Sequence, residues 1–139
     1  MGTNLRTKLS EKSKYYLNPH RRYELKHFCL QYPIWKKALY SLTGLQSRPE
    51  DLGIFHDKHN VSDPTAKCAM ARQFYQDRID MIEKAAYETD PELAPYILKG
   101  VTEEKSYESM YLMHSIPCSR SVYYKLYKKF FYELNKLRK

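Results

Sequence analysis

The sequence predicts an all-α protein, a small helical domain with a long central helix and a C-terminal helix-turn-helix. Three observations carry this. Apolar residues recur at three- and four-residue steps through each long stretch, the spacing that lines one face of a helix. Glycine is scarce, 4 in 139 residues, so breaks are few and a Gly-rich phosphate loop has little to be built from. Three pairs, Asn18-Pro19, Asp63-Pro64 and Asp90-Pro91, put a capping side chain before a proline, as at a helix start.

Residues 1–17 are polar and basic, with Arg6, Lys8, Lys12 and Lys14. They read as an N-terminal arm, either a solvated tail or a strand of charge for DNA phosphates. A helical region over 18–100 comes next. Leu25, Phe28, Cys29 and Tyr32 form one stripe, and Trp35, Ala38, Leu39 and Leu42 a second. Pro33 separates or kinks them, because it removes a backbone hydrogen bond. Trp35 is most simply a core anchor. Gly44 is expected to end the second helix in a left-handed cap. Residues 45–63 read as a long loop.

From Asp63-Pro64 to about Glu88 runs the longest helical pattern. Tyr75, Ile79, Ile82 and Ala86 make its stripe, widened by Phe74, Met81 and Ala85. Its charges read as a solvated face with pairs such as Asp80 with Lys84. A helix this long can span the protein or pair with its own copy. Asp90-Pro91 opens a short helix over 92–99 that Gly100 terminates, with Leu93, Ile97 and Val101 as a wall for the C-terminal helices.

Residues 101–139 carry the helix-turn-helix. Thr102 is the expected cap of its first helix, with Glu103 and Glu104 complementing the helix N-terminus. His114-Ser115-Ile116-Pro117-Cys118 is the turn, and Ile116 plugs the angle between the helices. Pro117 stops the first helix, and Ser119 is the better cap for the second. Val122, Leu126, Phe130, Leu134 and Leu137 are expected to form its apolar face. Arg120, Lys125, Lys128, Lys129, Lys136 and Arg138 then lie on other faces. In such a module the first turn of the second helix enters the major groove. That makes Ser119, Arg120, Ser121, Tyr124, Lys125, Lys128 and Lys129 the candidate DNA-binding residues. A basic helical hairpin that merely packs has the same pattern.

Composition agrees with an anionic partner without choosing one. The 24 lysines and arginines exceed the 16 acidic residues, for a formal net charge of +8 and a pI of about 9.3. The cysteines, Cys29, Cys68 and Cys118, are odd in number and widely spaced, which suits free thiols in a reducing cytoplasm. No apolar run approaches the roughly 18 residues of a membrane span. His56 with His59, His27 near Cys29, and His114 with Cys118 lack a second ligand pair, so no metal or other cofactor is expected. Cys118 near a helix N-terminus and Arg120 would favour a thiolate. With no base beside it, no enzyme activity is expected.

The string from Tyr23 to Lys37, YELKHFCLQYPIWKK, resembles the opening of many small phage-encoded proteins of low-GC Gram-positive bacteria. So do Ile116 to Arg120, Tyr123-Tyr124 and Lys129 to Tyr132. Together they resemble the RinA and ArpU type of phage transcriptional regulators, whose C-terminal part is similar to sigma-factor region 4. The resemblance implies an all-helical DNA-binding activator of late phage genes in the host bacterial cytoplasm, with its recognition helix at Ser119 to Lys125. Double-stranded DNA is the expected partner. One such module reads few base pairs, so a homodimer or host RNA polymerase is expected beside it. The alternative is a phage protein that works through protein contacts, as a terminase small-subunit-like adaptor or an inhibitor of a host nucleic-acid enzyme.

Overall fold

The computed structural model describes residues 15–45 and 64–138. Most of the N-terminal arm and the segment 46–63, with His56 and His59, therefore lie outside the described residues. Those described form six α-helices and no strand: α1 (Pro19–Leu30), α2 (Tyr32–Leu45), α3 (Pro64–Thr89), α4 (Ala94–Glu103), α5 (Tyr107–His114) and α6 (Arg120–Leu137).

The chain clusters into two compact units, one of Met1–Tyr32 with Met81–Lys139 and one of Pro33–Asp80. In the second, Trp35, Leu42, Cys68 and Ile79 are buried. Helix α2 continues through Gly44 to Leu45, so Gly44 is not its cap. Phe74, expected to widen the apolar stripe of α3, is exposed and carries the Arg78 guanidinium 3.5 Å from its ring centroid. Asp80 accepts from Gln76 at 2.7 Å rather than pairing with Lys84.

The first unit holds α1, the last turns of α3, and α4 to α6. Asn18 caps α1 as expected, its side chain accepting from the His20 N–H at 2.9 Å, with Pro19 in the first turn. The predicted stripe Leu25, Phe28, Cys29 and Tyr32 is buried. Helix α1 packs on α4 and α6, and α4 also packs on α5 and α6. Ile97 and Val101 on α4, Met110 on α5, and Tyr123, Tyr127, Phe130, Phe131 and Leu134 on α6 are buried in this unit. Each fully buried aromatic ring contributes a large apolar area, so α6 is the heaviest contributor to this core.

Three boundaries near α4 differ from expectation. Asp90 accepts from the N–H groups of Glu92 and Leu93 at 2.9 and 3.1 Å, which makes a turn of residues 91–93 and moves the helix start to Ala94. Gly100 does not end the helix. A Cβ there would collide with the Tyr123 hydroxyl, so this glycine admits a close approach by α6. The helix ends instead at Glu104, in the left-handed region at φ 54°. Thr102 lies inside α4 and donates its hydroxyl to the Leu98 carbonyl at 2.7 Å, so it caps nothing. Ser106 is the cap of α5, accepting from Ser109 N–H at 3.2 Å.

Candidate nucleic-acid interface

The site is built on α5, the turn over residues 115–119, and the first turns of α6. Helix α5 ends where Ser115 takes a left-handed conformation, φ 52°, and bonds back to the carbonyls of Met110 and Tyr111. The Ile116 N–H reaches the Met110 carbonyl at 3.4 Å. The bond from Ser115 to Tyr111 closes the helix as an αL cap, which commonly brings an apolar side chain against the last turn. Ile116 fills that place and is 4% exposed. Pro117 comes next and is exposed. Ser119 caps α6, accepting from the Val122 N–H at 3.3 Å.

Tyrosines hold the turn. The Tyr107 hydroxyl donates to the Cys118 carbonyl at 2.8 Å, and the Tyr107 N–H donates to the Tyr124 hydroxyl at 3.1 Å. The Tyr123 hydroxyl donates to the Lys105 carbonyl at 2.8 Å. Burial pushes the Tyr123 and Tyr127 phenols well above their ordinary range, so both stay neutral in the core. Burial, with Asp90 adding to it, also raises the Cys118 thiol. Both act against the thiolate that the neighbouring helix N-terminus and Arg120 would favour.

The phase of α6 differs from the aliphatic pattern. Its buried column is Tyr123, Tyr127, Phe130, Phe131 and Leu134, whereas Val122 is 40% exposed and Leu126 half-buried. Of the expected apolar face, only Phe130 and Leu134 are core. The tyrosines supply the rest because their rings bury a large area while their hydroxyls find backbone acceptors or, for Tyr127, remain unpaired.

The seven candidate residues divide accordingly. Ser119, Arg120, Ser121 and Lys125 are exposed, and Tyr124, Lys128 and Lys129 half-buried. The Arg120 guanidinium pairs with Glu108 of α5 and lies 5.3 Å from the Tyr124 ring centroid. The Ser119 and Ser121 hydroxyls are 3.3 Å apart. Among the described residues Lys125 and Lys128 have no ion-pair partner. Lys129 donates to the Thr89 carbonyl at 3.2 Å, which places its charge at the negative end of α3.

Further along, the cations are paired, Lys136 within α6 and Arg138 with α1. Lys136 pairs with Glu133 at 3.0 Å, a hydrogen bond that raises its pKa. The Arg138 guanidinium lies 3.9 Å from Glu24 and 4.1 Å from the Phe28 ring centroid. Arg21 of α1 donates to the Asn135 side chain at 2.7 Å. Two residues are not singled out by the sequence, Glu108 as partner of Arg120 and Val122 as part of the outward surface. Val122 stands three residues after a good cap, a position that could mark it as first-turn surface.

Among the described residues no group of three or more histidine, cysteine or acidic side chains is placed to hold a metal ion. Nor is any helix among them long and apolar enough to cross a membrane. No family model matches the chain, and no curated protein or solved structure matches it either.

Proposed function

We propose that the chain is a double-stranded-DNA-binding transcriptional regulator that sets the first turn of α6 into the major groove. The observation that carries this is the composition of that turn. Ser119, Arg120, Ser121 and Lys125 are exposed together at a capped helix N-terminus, whose backbone dipole favours phosphate oxygens. The buried column of α6 keeps that helix on its unit, and its cap and tyrosine bonds hold the turn in place. Arg120, on leaving its exposed pair with Glu108, supplies the donor fork for guanine, and Lys125 and Lys128 neutralise phosphates. Lys129 retains donors beyond the one given to Thr89 and serves as a secondary backbone contact. The likeness to RinA and ArpU regulators makes late phage genes the natural target. It also suggests a homodimer or host RNA polymerase to extend the few base pairs that one helix reads.

One observation favours a second reading. Tyr111, Leu112 and Met113 are exposed in succession on α5, Leu112 at 79%. Such a run suits a protein partner, as an adaptor or an inhibitor of a host nucleic-acid enzyme would require. Genome-wide selection of DNA fragments bound by the full chain at near-physiological salt separates the two. Enrichment of a small set of phage promoters supports the regulator. Random fragments, with a host enzyme co-purifying in nuclease-treated extract, support the second.

A further inference from the structure

Val122 is the residue that the regulator reading does not yet use. Single exposed aliphatic residues are ordinary on protein surfaces, so exposure alone assigns it nothing. Its position is more informative. It lies in the first turn of α6, three residues before Lys125, so these two exposed side chains neighbour one another on the helix surface. The buried column Tyr123, Tyr127, Phe130, Phe131 and Leu134 faces the other way. A β-branched side chain in a helix is held in essentially one rotamer, so the two methyl groups of Val122 project in a fixed direction amid donors and charges.

Among base edges in the major groove, one feature is apolar, the 5-methyl group of thymine. Arg120, Ser121 and Lys125 address hydrogen-bonding atoms or phosphates, and Val122 has no polar atom to offer either. Resting on the placement of α6 in the major groove, we infer that Val122 is a specificity-determining residue that packs against a thymine methyl, on the Lys125 side of the helix. The site would then prefer a thymine at one position besides the guanine, with the methyl contact excluding water between protein and base.

The test uses the duplex most enriched when the full chain selects from a random pool, resynthesised with each thymine in turn replaced by uracil, which deletes the methyl alone. One position should weaken binding about four-fold, the effect expected for one buried methyl group. Val122→Ala should bind thymine and uracil at that position equally and keep the wild-type preference at the guanine. Its helix content and melting temperature, measured alongside, should match the wild type, because the side chain is not part of the core. If a selected duplex shows no uracil-sensitive position, or if the sensitivity persists in Val122→Ala, the contact is wrong while DNA binding stands. If no duplex is enriched at all, the regulator reading fails and this inference falls with it.

Discussion

The two halves of α6 carry similar basic composition and put it to different use. In the N-terminal half, Arg120 and Lys125 are exposed, and Lys125 and Lys128 have no ion-pair partner among the described residues. In the C-terminal half, Lys129 is bonded to the end of α3, Lys136 to Glu133, and Arg138 to Glu24 and the Phe28 ring. In the first half Lys125 and Lys128 present charge while Arg120 pairs with Glu108 of α5; in the second, Lys129 and Arg138 tie the helix to α3 and α1, and the Lys136 pair stays within α6. Counting lysines along a helix therefore overstates the surface open to a polyanion.

That contrast breaks first if the turn is removed. Ile116→Asp places a charge where the wild-type side chain is buried, and a destabilisation of about 3 kcal/mol or more is expected. Melting followed by circular dichroism checks it, and an unchanged transition would mean that the turn is not anchored by this residue. Gly100→Ala should come second at about 1–3 kcal/mol, since the added methyl must displace the buried Tyr123 hydroxyl. Combining it with Tyr123→Phe should recover part of that stability. Strict additivity in this double-mutant cycle would disprove the close approach.

The contrast sharpens in binding. Lys125→Ala with Lys128→Ala should flatten the dependence of log K on log salt by roughly 0.9 for each phosphate no longer neutralised. Lys136→Ala should leave the slope nearly unchanged, because it lies in the last turn of α6, about four turns from the proposed first-turn contact. Equal slopes for the two variants would erase the distinction between the halves.

Two of the three cap-then-proline pairs and the Ser119 cap mark helix starts correctly, while Asp90-Pro91 opens a turn before α4. Asn18 and Ser119 cap the helices assigned to them, and the Pro64 start of α3 agrees with the Asp63-Pro64 pair. Most of the features that resist reading depend on distant partners, and Thr102 on a local choice between two acceptable roles. Gly100 has the look of a terminator, yet its role is set by Tyr123 on another helix. Thr102 has the chemistry of a cap, yet its hydroxyl folds back on Leu98 within α4. The phase of α6 is misjudged when aliphatic residues are weighed above tyrosines, although Tyr123 and Tyr127 each bury a whole ring. The bond from Lys129 to Thr89 joins residues forty apart in sequence, which periodicity along one helix does not register. The candidate DNA-binding residues come from the first turns of α6. Arg120, Ser121 and Lys125 do lie exposed there, while the parts played by Val122 and Glu108 emerge only in the fold.

The central claim is that the first turn of α6 reads bases while the lysines after it hold backbone. Competition between a selected duplex and its scrambled counterpart tests it most directly, comparing wild type, Arg120→Ala and Lys128→Ala. A bidentate arginine–guanine contact is worth about 1–3 kcal/mol of discrimination. Arg120→Ala should therefore lose preference for the selected duplex while keeping most of its affinity for the scrambled one. Lys128→Ala should weaken both alike. If Arg120→Ala lowers both affinities equally, or leaves both unchanged, this turn does not read bases and the proposed mechanism is wrong.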